Sequence, residues 1–227
     1  MENQINNVLD LIGFGGPVII ILLVLSVVVL TVAIFKSIQF SMMRLWNFRA
    51  IDRLVSDYLA GTGTGDLKQL GKTPNPVAQI LVLADELKGR FKGDESLITE
   101  ELSCFASEKI EDMRGGLRPV EFIGMVSPLL GLLGTVLGMI EAFRQLQMGG
   151  AQVDPSILSG GIWVALLTTA VGLGVAIPAV ALHNFFESLV EKTVLRMERA
   201  ASRIMSSSNI RLESRNIDGE NITLLSR

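Results

Sequence analysis

The chain has 227 residues, of which 49% are hydrophobic and 19% are charged, and its formal net charge is −3. Because charged residues usually make up about a quarter of a soluble protein, this composition indicates a membrane protein with a sizeable polar part, and it gives no basic footprint for binding nucleic acid. The single cysteine, Cys104, and the single histidine, His183, exclude an internal disulfide framework and leave too few ligands for a Cys/His metal site.

The first apolar segment predicts a transmembrane helix over residues 16–36, which is uncharged up to Lys36. About 20 residues at roughly 1.5 Å each reach the roughly 30 Å thickness of a bilayer core. The segment before it, residues 1–15, contains Glu2 and Asp10 but no Lys or Arg. A cleavable signal peptide has a basic head, so we expect residues 1–15 to be a periplasmic N-terminal segment and the first span to be retained.

The polar stretch that follows, residues 37–120, is predicted to be a helical domain. Apolar residues recur at helical spacing over residues 42–60. GTGTG at 61–65 then interrupts the chain, and TPNP at 73–76 precedes a new helix. The sequence therefore predicts at least two helices in the first half of this domain.

The second half of the domain begins at a turn, KGD at 92–94, which precedes a long charged segment. We predict a helix from Glu95 to about Arg118, with Pro119 marking its entry into the membrane. Its charges are expected to form a solvated face, although their mixed signs also suit pairing between subunits. Cys104 is expected to pack inside this helical bundle.

Two further apolar segments predict transmembrane helices over residues 121–143 and 160–186, joined by a loop at 144–159. Helical spacing of apolar residues continues beyond the third span into a C-terminal helix and tail at 187–227. We expect about the last 20 residues of that tail to be frayed. The fold class predicted is an all-α membrane protein with three transmembrane helices and long cytoplasmic helical extensions.

Basic residues indicate how the spans are oriented. The two ends of the 37–120 domain and the start of the 187–227 tail are rich in Lys and Arg, whereas the 144–159 loop contains only Arg144. The positive-inside rule then places the N-terminus and the loop in the periplasm, and the domain and the tail in the cytoplasm.

The second and third spans differ from the first because small and hydroxyl-bearing residues interrupt them. These residues are Gly131, Gly134, Thr135 and Gly138 in the second span, and Thr168, Thr169, Gly172 and Gly174 in the third. One interpretation is helix packing, in which glycines let two backbones approach and Pro128 and Pro178 shape the helices. The other is a pore or a groove that receives a partner helix, and the two interpretations are compatible.

No span carries an Asp, Glu, Lys or Arg at mid-depth, since Glu141 lies near the outer end of the second span and His183 near the inner end of the third. Proton relays normally use such titratable groups within the membrane. If the chain conducts protons, we therefore expect a partner chain to supply the carrier. The sequence shows no nucleophile–base pair, phosphate loop or metal cluster, so we predict no enzyme activity, no cofactor and no metal.

Two stretches, PLLGLLGTVLGMIEAF at 128–143 and ALLTTAVGLGVAIPAVALHN at 165–184, resemble the MotA/TolQ/ExbB proton-channel family. Three spans and this length are similar to its TolQ/ExbB branch. The resemblance implies a homopentamer around two copies of a small single-span partner, similar to ExbD or TolR, whose membrane Asp carries the proton. It also implies that Thr135 and Thr169 line the proton pathway in the bacterial inner membrane.

The chain departs from this family pattern at Val164, where typical TolQ and ExbB chains carry a Glu. The departure speaks against a carboxylate relay within the ring and favours the Asp of the partner as the carrier.

The resemblance thus predicts a stator subunit that converts proton motive force into mechanical work. Alternatives are a non-conducting membrane scaffold for a partner complex and a sodium-driven motor subunit. In the sodium case the extra hydroxyl of Thr168 would help to coordinate the ion. Glu141 is either part of a cation-attracting ring or a solvated helix end. Thr168 itself is expected to face a neighbouring subunit.

Overall fold

The computed structural model of the chain describes residues 2–43, 45, 73–91, 94–148 and 155–225. Side chains are described for residues 16–43, 45, 73–91, 94–148, 156 and 158–205. The helices are α1 (Glu2–Met42), α2 (Pro76–Arg90), α3 (Glu95–Arg114), α4 (Leu117–Met148) and α5 (Pro155–Leu225). No strand occurs in this described part of the chain, and the predicted all-α membrane class is confirmed. The helix predicted over residues 42–60 lies almost wholly outside the described residues.

Three helical segments are long and apolar enough to cross a membrane: Gly16–Met42, Leu117–Met148 and Leu158–Met205. The first of them begins at a kink in α1, where Gly16 has φ 61 and ψ −163. A positive φ is strained for residues with a Cβ, and Pro17 follows directly. The kink therefore separates the N-terminal part of α1 from the long apolar helix that follows it.

Contacts divide the chain into two units, Met1–Lys36 with Gly116–Phe186 and Ser37–Gly115 with Glu187–Arg227. The first, the spanning unit, contains the apolar parts of α1, α4 and α5. These three helices share a small core that includes Val29, Val120 and Val175. Large apolar side chains such as Val27, Leu129 and Leu166 are exposed on the spanning unit, as expected of surfaces that face lipid or other membrane helices.

The second, the polar unit, has a core built from α2, α3 and the later part of α5. Its buried side chains include Leu81, Leu102 and Met197. Asn75 caps α2, since its Oδ1 accepts hydrogen bonds from the backbone N–H groups of Val77 at 2.9 Å and Ala78 at 3.4 Å. Pro76 at the first helical position has no N–H to leave unpaired. The predicted start of a helix at TPNP is thus confirmed.

Two predicted helix ends and one predicted contact were wrong. α3 ends at Arg114 and not near Arg118, because Gly115 and Gly116, the latter at φ 80, form a turn before α4 begins. Pro119 therefore lies in the first turn of α4, where its missing N–H costs little. α5 continues to Leu225, although its last residues were expected to be frayed. Cys104 is exposed and not packed inside the polar unit.

Candidate functional site

Helices α4 and α5 of the spanning unit approach each other along a line of small residues. A Cβ atom added to Gly134 would lie 2.6 Å from Thr168 Oγ1, and one added to Gly172 would lie 2.7 Å from the carbonyl oxygen of Ser127. Gly138 faces Ala165 in the same way, at 3.3 Å. Residue numbers rise along α4 as they fall along α5, so the two helices pack antiparallel. The backbones approach so closely that a methyl group at most of these glycines has no space.

The glycines that the sequence singled out divide into two groups. Gly131, Gly134, Gly138 and Gly172 lie in the α4–α5 contact, where each would bring a Cβ within 3.4 Å of the facing helix. Gly174 does not, because a Cβ added there would meet nothing within 4 Å. The orientation of Gly174 depends on which helix packs beside α5, which the sequence does not reveal.

The same contact extends in both directions beyond the glycines that the sequence singled out. Residues Gly124, Ser127, Ala142, Gly161 and Ala165 also take part in it. In α4, small residues therefore recur three or four positions apart from Gly124 to Ala142, which keeps them on one face of the helix. This spacing is the signal that would have identified the full contact.

Thr168 lies inside the α4–α5 contact. Its side chain is only 1% exposed, and its hydroxyl donates to the carbonyl oxygen of Ala165 at 2.7 Å, with that of Gly131 at 3.4 Å. The residue thus faces α4 of its own chain and not a neighbouring subunit, which differs from the sequence-based expectation. Close packing against Gly134 fixes this orientation.

Thr135 and Thr169 are partly exposed, and they lie at a similar depth because their chain neighbours Gly134 and Thr168 are in contact. The Thr135 hydroxyl donates to the carbonyl oxygen of Leu132 at 2.6 Å, and the Thr169 hydroxyl donates to that of Gly131 at 3.2 Å. These two carbonyl groups belong to consecutive residues of α4. A carbonyl oxygen only accepts hydrogen bonds, so each threonine hydroxyl uses its one O–H as the donor to the backbone. What remains on each threonine oxygen is acceptor capacity.

The two prolines lie inside continuous helices, Pro128 in α4 and Pro178 in α5. Proline has no N–H, so the carbonyl groups four residues earlier, those of Gly124 and Gly174, lose their helical donor. Both helices continue through these positions. The role of the prolines in shaping the helices stays a prediction.

Glu141 is paired within its own helix. Arg144 donates to it from Nε and from Nη2, each at 2.9 Å, and Gln145 donates from Nε2 at 3.0 Å. This bidentate pair offsets the charge of the carboxylate. A single chain therefore presents a dipolar pair at this end of the span and not an isolated acidic group.

The remaining titratable group of the third span, His183, is half-buried, and its Nδ1 atom is buried with no hydrogen-bond partner among the described residues. Val164 is partly exposed on α5 and brings no carboxylate to the spanning unit. The described residues contain no group of three or more His, Cys, Asp or Glu side chains placed to hold a metal ion.

The threonine pair and the α4–α5 contact fall within a stretch that matches known proteins. A profile described as the MotA/TolQ/ExbB proton channel family matches residues 78–199, more than half of the chain. The biopolymer transport protein exbB1 of Vibrio cholerae is 37% identical over 49% of this chain and 49% of its own length. A putative biopolymer transport protein ExbB homolog of Methanothermobacter thermautotrophicus is 32% identical over 58% of this chain and 45% of its own length.

A third relative matches over a longer stretch. The putative biopolymer transport protein ExbB-like 1 of Synechocystis is 32% identical over 82% of this chain and 73% of its own length. The chain spans about half the length of the other two relatives. The profile match and the long third alignment together show that the chain belongs to the MotA/TolQ/ExbB proton channel family.

Proposed function

We propose that the chain is the proton-channel subunit of an inner-membrane motor. In this proposal it forms the stator, and a single-span partner similar to ExbD or TolR converts proton motive force into mechanical work. The observation that carries the proposal is the pair of partly exposed hydroxyls, Thr135 and Thr169, bonded to consecutive carbonyl groups of α4. Membership of a proton channel family supports the same conclusion.

The hydrogen bonds of the two threonines suit a carboxyl group that changes its protonation state. A protonated carboxyl group has an O–H to donate, and the free lone pairs of Thr135 and Thr169 accept such a bond. A carboxylate instead needs a donor, so a threonine hydroxyl must rotate away from its backbone carbonyl to serve it. A bond of this kind contributes about 0.5–1.5 kcal/mol, which is small enough for the exchange to be reversible.

The spanning segments contain no carboxylate at this depth. Between residues 122 and 140 and between residues 160 and 182 there is no Asp, Glu, Lys, Arg or His. The carrier in this proposal is therefore the membrane Asp of the partner, and Val164 in place of the family Glu strengthens that requirement. A ring of five copies around two copies of the partner follows from the family resemblance.

The three apolar helices and the family place the chain in the inner membrane as a multi-pass protein. For its orientation we propose that the N-terminus and the 144–159 loop are periplasmic. Residues 37–120 and the C-terminal tail are then cytoplasmic, in accordance with the positive-inside rule. The test introduces Gly150→Cys into a Cys104→Ser background and adds a membrane-impermeant thiol reagent. Labelling in intact spheroplasts supports this orientation, and labelling only after lysis contradicts it.

Proton flux into vesicles tests the function. The chain reconstituted alone is expected to conduct no protons, and the chain together with its partner is expected to acidify the lumen when a membrane potential is applied. The matched control is the same complex with the partner's membrane Asp replaced by Asn. If the complex is intact but conducts nothing, the chain is a scaffold. Flux that disappears when sodium is replaced by choline identifies a sodium motor.

Thr168 bears on the sodium alternative. Its hydroxyl is buried between α4 and α5 and donates to the carbonyl oxygen of Ala165, whereas Thr135 and Thr169 are partly exposed. In this proposal the hydroxyl of Thr168 therefore gives a sodium ion beside Thr135 and Thr169 no extra ligand. The flux of the reconstituted complex is expected to be independent of sodium.

A further inference from the structure

An apolar groove opens on the spanning unit beside the α4–α5 contact, and its lining includes the contact residues Gly134, Gly138 and Gly161. Its volume is about 630 Å³, which lies within the usual range for small-molecule sites. Its walls come from the start of the first span at Gly16 and Pro17, from α4 at Leu137 and from α5 at Gly160 and Val164. At its mouth it is bordered by Glu141 and Gln145.

The depth of the groove matches one leaflet of a bilayer. Along α4 its lining runs from Gln145 to Gly134, a rise of about 16 Å at 1.5 Å per residue. The hydrocarbon core of a bilayer is about 30 Å thick, so one leaflet accounts for about 15 Å. An acyl chain that enters from the mouth would thus reach the inner end of the groove near the middle of the membrane.

Paired opposite charges lie beside the groove near the predicted outer end of the second span, where Glu141 lines the groove and Arg144 follows it by three residues in α4. Glu141 and Arg144 form the bidentate pair described above, which uses two of the five N–H donors of Arg144. Trp163, which also lines the groove and is 67% exposed, is of the residue type that concentrates at membrane interfaces. A cation and an anion side by side complement a headgroup that also carries both charges.

We propose that this groove binds one zwitterionic phospholipid with a primary ammonium, phosphatidylethanolamine. One acyl chain lies between α1, α4 and α5 along Leu137 and Val164. The phosphate accepts hydrogen bonds from Arg144, and the ammonium donates to Glu141. The lipid fills the space beside the α4–α5 contact at the end of the span where Glu141 lies. This proposal does not depend on the proposed proton path.

The two glycines that have open space on α5 supply a matched pair of variants. A Cβ added at Gly160 or at Gly174 meets nothing within 4 Å, so neither leucine substitution creates a clash at its first atom. Only Gly160 lines the groove. Gly160→Leu therefore obstructs the groove near its mouth, and Gly174→Leu adds the same side chain to the same helix elsewhere.

The test reconstitutes the full chain, in its native assembly, into vesicles of phosphatidylethanolamine and phosphatidylglycerol. A trace of phosphatidylethanolamine carries a photoreactive diazirine on one acyl chain, and the labelled peptides are mapped by mass spectrometry. We expect label to concentrate in residues 134–145 and 156–164. Gly160→Leu should reduce it by about fivefold or more, equivalent to about 1 kcal/mol of binding, and Gly174→Leu should leave it unchanged.

Three outcomes would overturn the proposal. Uniform labelling of all exposed apolar residues would mean that only bulk lipid contacts this surface. An absence of label in the groove peptides, with label persisting elsewhere, would mean that another helix fills the groove. Equal or stronger labelling by the phosphatidylglycerol analogue would contradict a zwitterionic site. Arg144→Gln adds a further check, since it should lower labelling by phosphatidylethanolamine more than Gly174→Leu does.

Discussion

Alanine substitutions along the α4–α5 contact should destabilise the subunit in an order set by the space at each glycine. At Gly134 the added Cβ would lie 2.6 Å from Thr168 Oγ1 and 2.7 Å from Thr168 Cβ. Carbon atoms in good contact are about 3.5–4.0 Å apart. Rotating the threonine does not relieve the second contact, because Cβ is fixed to the backbone. The helices must therefore move apart by about 1 Å there.

Overpacking of this kind costs about 1–3 kcal/mol, and we expect that cost for Gly134→Ala. Gly172→Ala should cost as much, since its Cβ would lie 2.7 Å from the carbonyl oxygen of Ser127 and 3.0 Å from Gly131 Cα. Gly138→Ala is milder, because the nearest atom, Ala165 Cβ, is 3.3 Å away. Gly174→Ala meets nothing within 4 Å and should be neutral or slightly stabilising, since alanine favours helix over glycine by up to about 1 kcal/mol.

The measurement is the free energy of unfolding in mixed micelles, followed by tryptophan fluorescence as denaturing detergent is increased. Gly174→Ala serves as the control, because it is the same substitution in the same helix pair without the close contact. If Gly134→Ala and Gly174→Ala unfold with the same free energy, within about 0.5 kcal/mol, then α4 and α5 do not pack as closely as the structure shows.

Three further predictions concern the polar unit. Asn75→Ala should lower stability by about 1–2 kcal/mol, measured by denaturant unfolding, because it removes the cap of α2. A double-mutant cycle on Arg114 and Glu187, whose Nη2 and Oε1 are 2.7 Å apart, should give a coupling of about 0.2–1 kcal/mol that falls with added salt. The hydrogen bond from the Ser96 hydroxyl, and to a smaller extent that from the backbone N–H of Leu97, lowers the pKa of Asp94. The stability that this carboxylate contributes is therefore present at neutral pH and is lost as pH falls through its lowered pKa, and Asp94→Asn should remove that pH dependence from unfolding curves.

The fold was largely predictable because long apolar segments mark the spans and capping residues close to the start of a helix mark where it begins. The charge-free segment before Lys36 and the proline after Asn75 each determine structure within a few residues of themselves. The end of α3 was missed although its signal was equally local. Gly115 and Gly116 form a glycine pair at which the helix ends. The prediction of a longer helix relied instead on the charged residues, which continue to Arg118.

The site was predictable only in part, because facing pairs are set by how two helices rotate against each other. Gly131, Gly134 and Gly138 are spaced three and four residues apart, which puts them on one face of α4. The sequence did not show that Gly174 of α5 lies outside the α4–α5 contact. It also placed Thr168 at a boundary between subunits, whereas close packing against Gly134 buries it inside the chain. Adjacent threonines point about 100° apart on a helix, and only the position of α4 decides which one is buried.

The central claim is that the hydroxyl of Thr169 belongs to the proton path whereas that of Thr168 does not. Valine replaces a threonine hydroxyl with a methyl group at nearly constant volume. Each substitution removes hydroxyl bonds to backbone carbonyls, at a cost of about 1 kcal/mol or less within a membrane. Both variants should therefore assemble with the partner as the wild-type chain does, which size-exclusion chromatography checks.

The decisive measurement is potential-driven proton flux through the reconstituted complex carrying either Thr169→Val or Thr168→Val. We predict that Thr169→Val lowers the flux by about tenfold or more, which corresponds to about 1.4 kcal/mol on the barrier, while Thr168→Val retains most of it. Equal flux in the two variants, or a greater loss for Thr168→Val, would contradict the proposed path.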